Sequence, residues 1–314
     1  SPGMTQHPET EAVRATTIVD PKTRKLFSLK DRSTRGDDLF ESKKDAKASL
    51  EEDALAINVL QDALFACKGG ALLVVLQGID TAGKDGTVRG VFNRCGPLGV
   101  IVTGFGRPSE EDLAHDFLWR VHKAAPKKGT IGVFNRSHYE DVLVAKVRKL
   151  APDDVVERRY AQINAFEKHL TENNVVILKF MLHISKDEQA ARLKERVERP
   201  EKHWKFNPSD LEDRALWDQF MAAYEVMLNR CSTEHAPWHV IPADRNWVRN
   251  AAIARIVRET LEEMNPQYPK PKGWDPKTVK ILLSRYDAAF LSTMTAVNAA
   301  IVPKEAASDL KQNP

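Results

Sequence analysis

Cysteine is scarce in this 314-residue chain: Cys67, Cys95 and Cys231 stand far apart, with no CxxC pair. That excludes a disulfide framework and a zinc site of ordinary spacing, and it suits a reducing compartment. Excess charge is scarce too, since 47 Lys and Arg against 44 Asp and Glu leave only +3. No global positive field marks a nucleic-acid binder, so any site for a polyanion has to be local. No run approaches the about 18 apolar residues of a membrane span, and no N-terminal apolar segment reads as a signal peptide. Repeats and low-complexity tracts are missing as well. The expected setting is cytoplasmic, with neither membrane nor nucleic acid among the partners. Ser1-Pro2-Gly3 ahead of Met4 reads as a cloning remnant and is set aside.

What is present suits a soluble globular protein with a sizeable core: 42% hydrophobic and 29% charged residues. Residues 4–50 are polar and charged and read as an arm ending in a helix start. Residues 51–68 carry apolar positions at helical spacing, closed by Gly69-Gly70. Strand-like runs follow at 71–78, 100–105, 130–136, 174–185 and 238–244. Between them, 109–124 (opened by Ser109), 139–151 and 153–172 read as helices. Strands alternating with helices imply a parallel sheet covered on both faces. Residues 186–233 interrupt this pattern as a helical excursion with a proline-marked hinge, ERPEKHWKFNPSD, and resemble a lid. The expected division is an arm (4–50), a core with its lid (51–270) and a C-terminal helical extension (271–314).

The first strand runs into GIDTAGKDG, where Gly78 and Gly83-Lys84 satisfy GxxxxGK between a strand and a helix. Backbone N–H groups turned inward, a helix N-terminus and a lysine together make an anion nest. Gly78, Ala82, Gly83, Lys84, Asp85 and Gly86 are the candidate phosphate- or nucleotide-binding residues. Asp85 occupies the place where a hydroxyl usually meets magnesium. A carboxylate in a phosphate nest needs a cation between the anions, so Asp80 is the candidate ligand for Mg²⁺ or the residue that orients the acceptor. Asp85 reads equally well as a first-turn acid on the helix dipole.

FNRSHYED (134–141) ends the third strand, where chemistry gathers in nucleotide-binding α/β folds. Arg136 can spread a guanidinium over phosphoryl oxygens. Glu140 and Asp141 join Asp80 as candidate metal ligands, although Ser137 could simply cap a helix with acids in its first turn. His138 reads as a packing or hydrogen-bonding residue. In the lid, Arg192, Arg196 and Arg199 share a helix face, followed by Lys202 and Lys205 on the hinge around Trp204. That pattern fits a polyanion clamp, while Glu188 and Glu195, four residues before Arg192 and Arg199, fit plain surface ion pairs. Trp204 could stack a base or anchor the hinge, and Asn246 or Arg249 could contact a nucleotide.

Together GIDTAGKDGTVRGVF, GVFNRSHYEDVLV and RLKERVERPEKHWKFNPSDLEDR resemble the polyphosphate kinase 2 family over about residues 40–270. The resemblance implies an α/β fold of the three-layer α/β/α P-loop kinase type, with a parallel sheet and helical lid. It implies Mg²⁺-dependent, reversible phosphoryl transfer between inorganic polyphosphate and adenine nucleotides, leaves guanine nucleotides open, and suggests a homo-oligomer. Asp80, Lys84, Arg136 and Glu140 would be catalytic; Arg192, Arg196, Arg199, Lys202 and Lys205 would face polyphosphate. Asn135 and Glu140 depart from the F-D-R-S-W-Y-N of many members. FNRSHYE resembles the subgroup acting on AMP as well as ADP. The alternatives are an ATP-dependent nucleoside monophosphate kinase of the thymidylate-kinase type, or a non-catalytic polyphosphate or nucleotide sensor.

Overall fold

The computed structural model describes residues 10–285, so the outermost parts of the expected arm (4–9) and extension (286–314) lie outside the described residues. Helix α1 (Thr10–Thr17) leads to α2 (Lys43–Cys67). Ser42 accepts a hydrogen bond from the Asp45 N–H, and this cap starts α2 well ahead of residue 51, where the apolar spacing alone places it. The alternation follows as β1 (Ala71–Gln77), α3 (Lys84–Phe92), β2 (Val100–Gly104), α4 (Glu110–Ala114) and α5 (Trp119–Ala124). It continues with β3 (Ile131–Asn135), α6 (Val144–Val147), α7 (Asp153–Glu172) and β4 (Val175–His183).

The excursion is α8 (Lys186–Glu198), a 3₁₀ turn over Pro200–Lys205, α9 (Ser209–Ala215) and α10 (Trp217–Cys231). Then come β5 (Trp238–Pro242) and α11 (Asn246–Met264), and the compact unit ends at Gln267. Helix α12 (Pro276–Arg285) belongs to the second unit.

Two expected helices are broken. Residues 109–124 form α4 and α5 rather than one helix. Ser109 and Asp112 make the capping box, but the Asp116 carboxylate takes the Leu118 N–H at 3.0 Å and His115 stacks on Trp119. Such local side-chain bonds compete with the helical ladder. Residues 139–151 become a 3₁₀ turn over His138–Val142 and the single turn α6, interrupted at Leu143.

The five strands are parallel in the order β2-β3-β1-β4-β5. Every residue of β1 is buried, which is why it reads as an unbroken apolar run. Leu73, Val75, Phe134, Ile177 and Met181 form one core with residues of α7 and α10. Leu72, Val74, Leu76, Val133, Leu178 and Phe180 form the other with residues of α2 and α11. Full burial of each such side chain contributes roughly 1.5–3 kcal/mol of transfer free energy. The result is the α/β/α sandwich expected. Asp53 of α2 pins one helical layer, accepting from Arg255 at 2.9 Å and Arg258 at 3.0 Å of α11. Among the described residues, no helix is long and apolar enough to cross a membrane.

Candidate active site

Strand order decides where the site lies. Because β1 sits directly beside β3, with Leu76 opposite Asn135, the loops leaving these two strands emerge side by side. Ligands in such sheets gather outside the carboxyl ends of strands, where the order reverses.

The first loop folds as the glycines require. Gly83 has φ +97, a conformation that a side chain strains, and it lets Lys84 open α3. Lys84 is buried, and its ammonium donates to the carbonyls of Gly78 (2.8 Å) and Ile79 (3.3 Å), leaving one of its three donors for a ligand. Burial lowers its pKa to about 8, helped by Arg136 and opposed by Asp80, Glu140 and Asp85.

Asp80 stands at the mouth. One carboxylate oxygen accepts from Arg136 at 3.1 Å and the other from Arg196 of the lid at 3.1 Å. Burial works against its ionisation, but Lys84, Arg196 and Arg136 prevail and bring its pKa down to about 2. Arg136 adopts the left-handed φ of +62, uncommon for a side chain this size. Its N–H donates to the Leu76 carbonyl, so the backbone conformation is tied to the end of β1. Strain held by surrounding structure is typical of functional positions.

The second loop rests on buried polar groups. Ser137 donates to Gln77 Oε1 at 2.8 Å, and Gln77 Nε2 donates to Glu140 at 3.0 Å. Deeper, Glu167 of α7 accepts from Lys179 (2.7 Å) and Tyr139 (2.8 Å), and lies 2.9 Å from His138 Nε2. His138 is thus the fully buried hydrogen-bonding residue its sequence context suggested. Asn135 donates to Asp85 at 2.6 Å, a contact that an aspartate at position 135 would make repulsive.

The other expected residues divide. Asp141 turns to Arg159 at 3.8 Å, and burial raises its pKa to about 6. Arg192 keeps its ion pair with Glu188 at 3.0 Å and also reaches inward, donating to the Thr81 carbonyl at 2.7 Å. Arg199 and Lys202 pair with Glu195, at 3.2 and 2.6 Å. Lys205 lies over the Trp204 ring, and Trp204 is exposed rather than a buried hinge anchor. Arg192 and Arg196 therefore touch the loop between β1 and α3, while the remaining lid cations stay on the hinge.

Sequence reasoning misses Asp210, at the end of the quoted hinge. It is buried beside Asp80, accepts from Arg196 at 3.4 Å and from the Asn207 N–H at 3.2 Å, and burial raises its pKa. Its only sequence signal is an acid three residues after Asn207, which also reads as a turn.

Residues 40–269 match the family described as polyphosphate kinase 2. An AMP/ADP-polyphosphate phosphotransferase of Meiothermus ruber is 51% identical over 236 residues, 74% of this chain and 88% of that protein. An ADP-polyphosphate phosphotransferase of Rhodopseudomonas palustris is 39% identical over 249 residues, 76% of this chain and 86% of that protein. The crystal structure of polyphosphate kinase 2 from Arthrobacter aurescens superposes with a TM-score of 0.82 at 40% identity, covering 87% of this chain and 97% of that one. With the loop, the second motif and the lid all inside the matched span, this chain belongs to the polyphosphate kinase 2 family.

Proposed function

We propose that this protein is a cytoplasmic enzyme that moves the terminal phosphoryl group of inorganic polyphosphate reversibly onto AMP and ADP, in the presence of Mg²⁺. The observation that carries the reading is Asp80 held between Arg136 and Arg196 above the buried Lys84. Two guanidinia and an ammonium converge on one point, where a phosphoryl group in transfer spreads its charge. Sequence similarity to phosphotransferases acting on AMP and ADP supports the same substrates here.

The loop N–H groups and Lys84 would bind donor phosphates; Arg136, tied to the end of β1, would stabilise the phosphoryl in flight. The acceptor is a phosphate oxygen, so no side chain has to take a proton. Arg196 joins the lid to Asp80 and would exclude water as the lid settles.

Among the described residues, no three His, Cys, Asp or Glu side chains gather as a metal site. The donor chemistry nonetheless fits Mg²⁺, which takes one or two carboxylates and completes its shell with water and phosphate oxygens. Asp80, ionised and balanced by the two guanidinia, would be the main ligand and Glu140 the second, with Asp141 further back against Arg159. Held by these carboxylates, Mg²⁺ would supply neutralising charge for the phosphates.

ATP formation from long-chain polyphosphate, Mg²⁺ and either AMP or ADP tests the reading directly. ATP from both acceptors is expected; transfer only from ATP to a nucleoside monophosphate would replace it. Glu140→Asn should lower turnover of both acceptors, AMP by about tenfold more than ADP, because the metal or water shell that Glu140 would hold matters most for the shorter acceptor. An AMP-to-ADP rate ratio unchanged from wild type would refute this role.

The pH profile follows from Lys84. Its folded-state pKa is lowered to about 8, so the free enzyme loses this positive charge above that pH. kcat/KM for polyphosphate should fall as pH rises through 8, while kcat, measured with the donor's negative charge in place, should fall later. Coincident alkaline limbs for the two parameters would contradict the assignment.

A further inference from the structure

Arg249, a sequence candidate for nucleotide contact, is buried against the loop between β1 and α3. Its guanidinium lies against Gly83 and Gly86. A Cβ on Gly83 would come within 1.8 Å of Nη1, and one on Gly86 within 2.8 Å of Nη2. The glycines of GKDG are therefore shaped around this side chain as much as around a ligand.

Its hydrogen-bond partners are all neutral: Asn246 Oδ1 and Asn250 Oδ1 at 3.1 Å, and the Ala82 carbonyl at 3.5 Å. Among the described residues no carboxylate pairs with it, and the charge that acts on it is another cation, Arg192. Burial, reinforced by Arg192, lowers its pKa to about 10, so it remains charged at neutral pH. An unpaired buried charge is costly, and packing alone would be served by an apolar side chain.

We infer that Arg249 is a positioning residue for the phosphate donor: a buried, uncompensated cation that adds positive potential behind the nest and holds Gly83 in its turn. The anion that completes it is a chain of phosphates bound in front of the loop. This deepens the proposed function and rests on it for the identity of the donor.

The test is calorimetric binding of inorganic triphosphate to the full chain at several salt concentrations, alongside KM for polyphosphate and for ADP. Arg249→Met should weaken triphosphate binding and raise the polyphosphate KM by about tenfold, flatten the salt dependence, and leave the ADP KM unchanged. Arg249→Lys should recover much of the loss. Arg249→Gln keeps a hydrogen-bonding head and reads the charge alone if the methionine variant does not fold. Neutral variants with unchanged triphosphate affinity and salt slope would overturn the inference, as would a lysine variant no better than methionine. A wild-type protein that binds triphosphate yet phosphorylates neither AMP nor ADP would sink the proposed function and leave the binding result standing.

Discussion

Asp80→Asn is expected to lower kcat for polyphosphate-dependent ATP formation by about 10³-fold while the protein stays folded. The carboxylate is the shared partner of Arg136 and Arg196 and the main candidate for holding Mg²⁺. Its amide replacement keeps the shape and removes the charge. The two guanidinia then lose their counter-ion, so the KM for polyphosphate should stay level or fall even as kcat collapses. That split separates a role in transfer from a role in donor binding. The stability cost at pH 7 should stay within about 1 kcal/mol, because the pair is partly exposed and screened. Asp80's folded pKa is depressed, so its contribution to stability is present above the ordinary aspartate range and fades as pH falls toward 2. Initial rates at saturating Mg²⁺ decide the matter. A kcat within tenfold of wild type would make Asp80 structural.

Glu167→Gln should destabilise the fold by about 3–5 kcal/mol, the cost of leaving a buried partner charge unpaired. Glu167 and Lys179 are both fully buried, and among the described residues the ammonium's other hydrogen bonds go to Tyr139 and the Cys231 carbonyl, each at 2.7 Å. Burial opposes ionisation of Glu167, but Lys179 and His138 outweigh it and its pKa ends below the ordinary range. Its stabilising contribution is therefore held at neutral pH and lost on acidification. Urea unfolding at pH 7 measures the effect. The double variant Glu167→Leu with Lys179→Met should regain most of the stability, since removing both charges also removes their desolvation cost. A double variant as unstable as the single one would show that geometry, rather than charge, sets the cost. Activity is the second readout: His138 and Tyr139 directly follow Ser137 in the loop after β3, where the proposed transfer chemistry lies, so the single variant should also blunt transfer.

The sheet and the glycine turn that opens α3 were legible because their signals are local. A fully buried strand reads as ALLVVLQ, and a positive φ at position 83 calls for glycine. The lid cations were legible only as a face. Glu188 and Glu195 sit at ion-pair spacing and do form ion pairs, yet Arg192 donates to the Thr81 carbonyl in the same pose, which spacing cannot reveal. Asp210 escaped, and Arg249 was legible only as a candidate nucleotide contact, for a related reason. Each takes its meaning from a partner more than 100 residues away, Asp80 in one case and Gly83 in the other. The break at residues 115–118 was hidden by good helix-forming neighbours, whose propensity lost to the Asp116 and His115 contacts.

The N-terminal segment shows how such distance acts in time. Val19 donates to the Trp238 carbonyl at 2.8 Å, Thr17 meets His239 at 2.9 Å, and the Phe27 N–H donates to Asn229 at 2.8 Å. The first of these spans 219 residues (238 − 19). At ~5–20 residues per second, a ribosome needs roughly 10–45 s to supply the missing partner. Through that interval Val13, Val19 and Leu29, all buried in the finished protein, have nowhere to dock. A segment made long before β5 is then among the last to be fastened, and a nascent chain stalled before β5 would present it to chaperones, proteases or neighbouring copies.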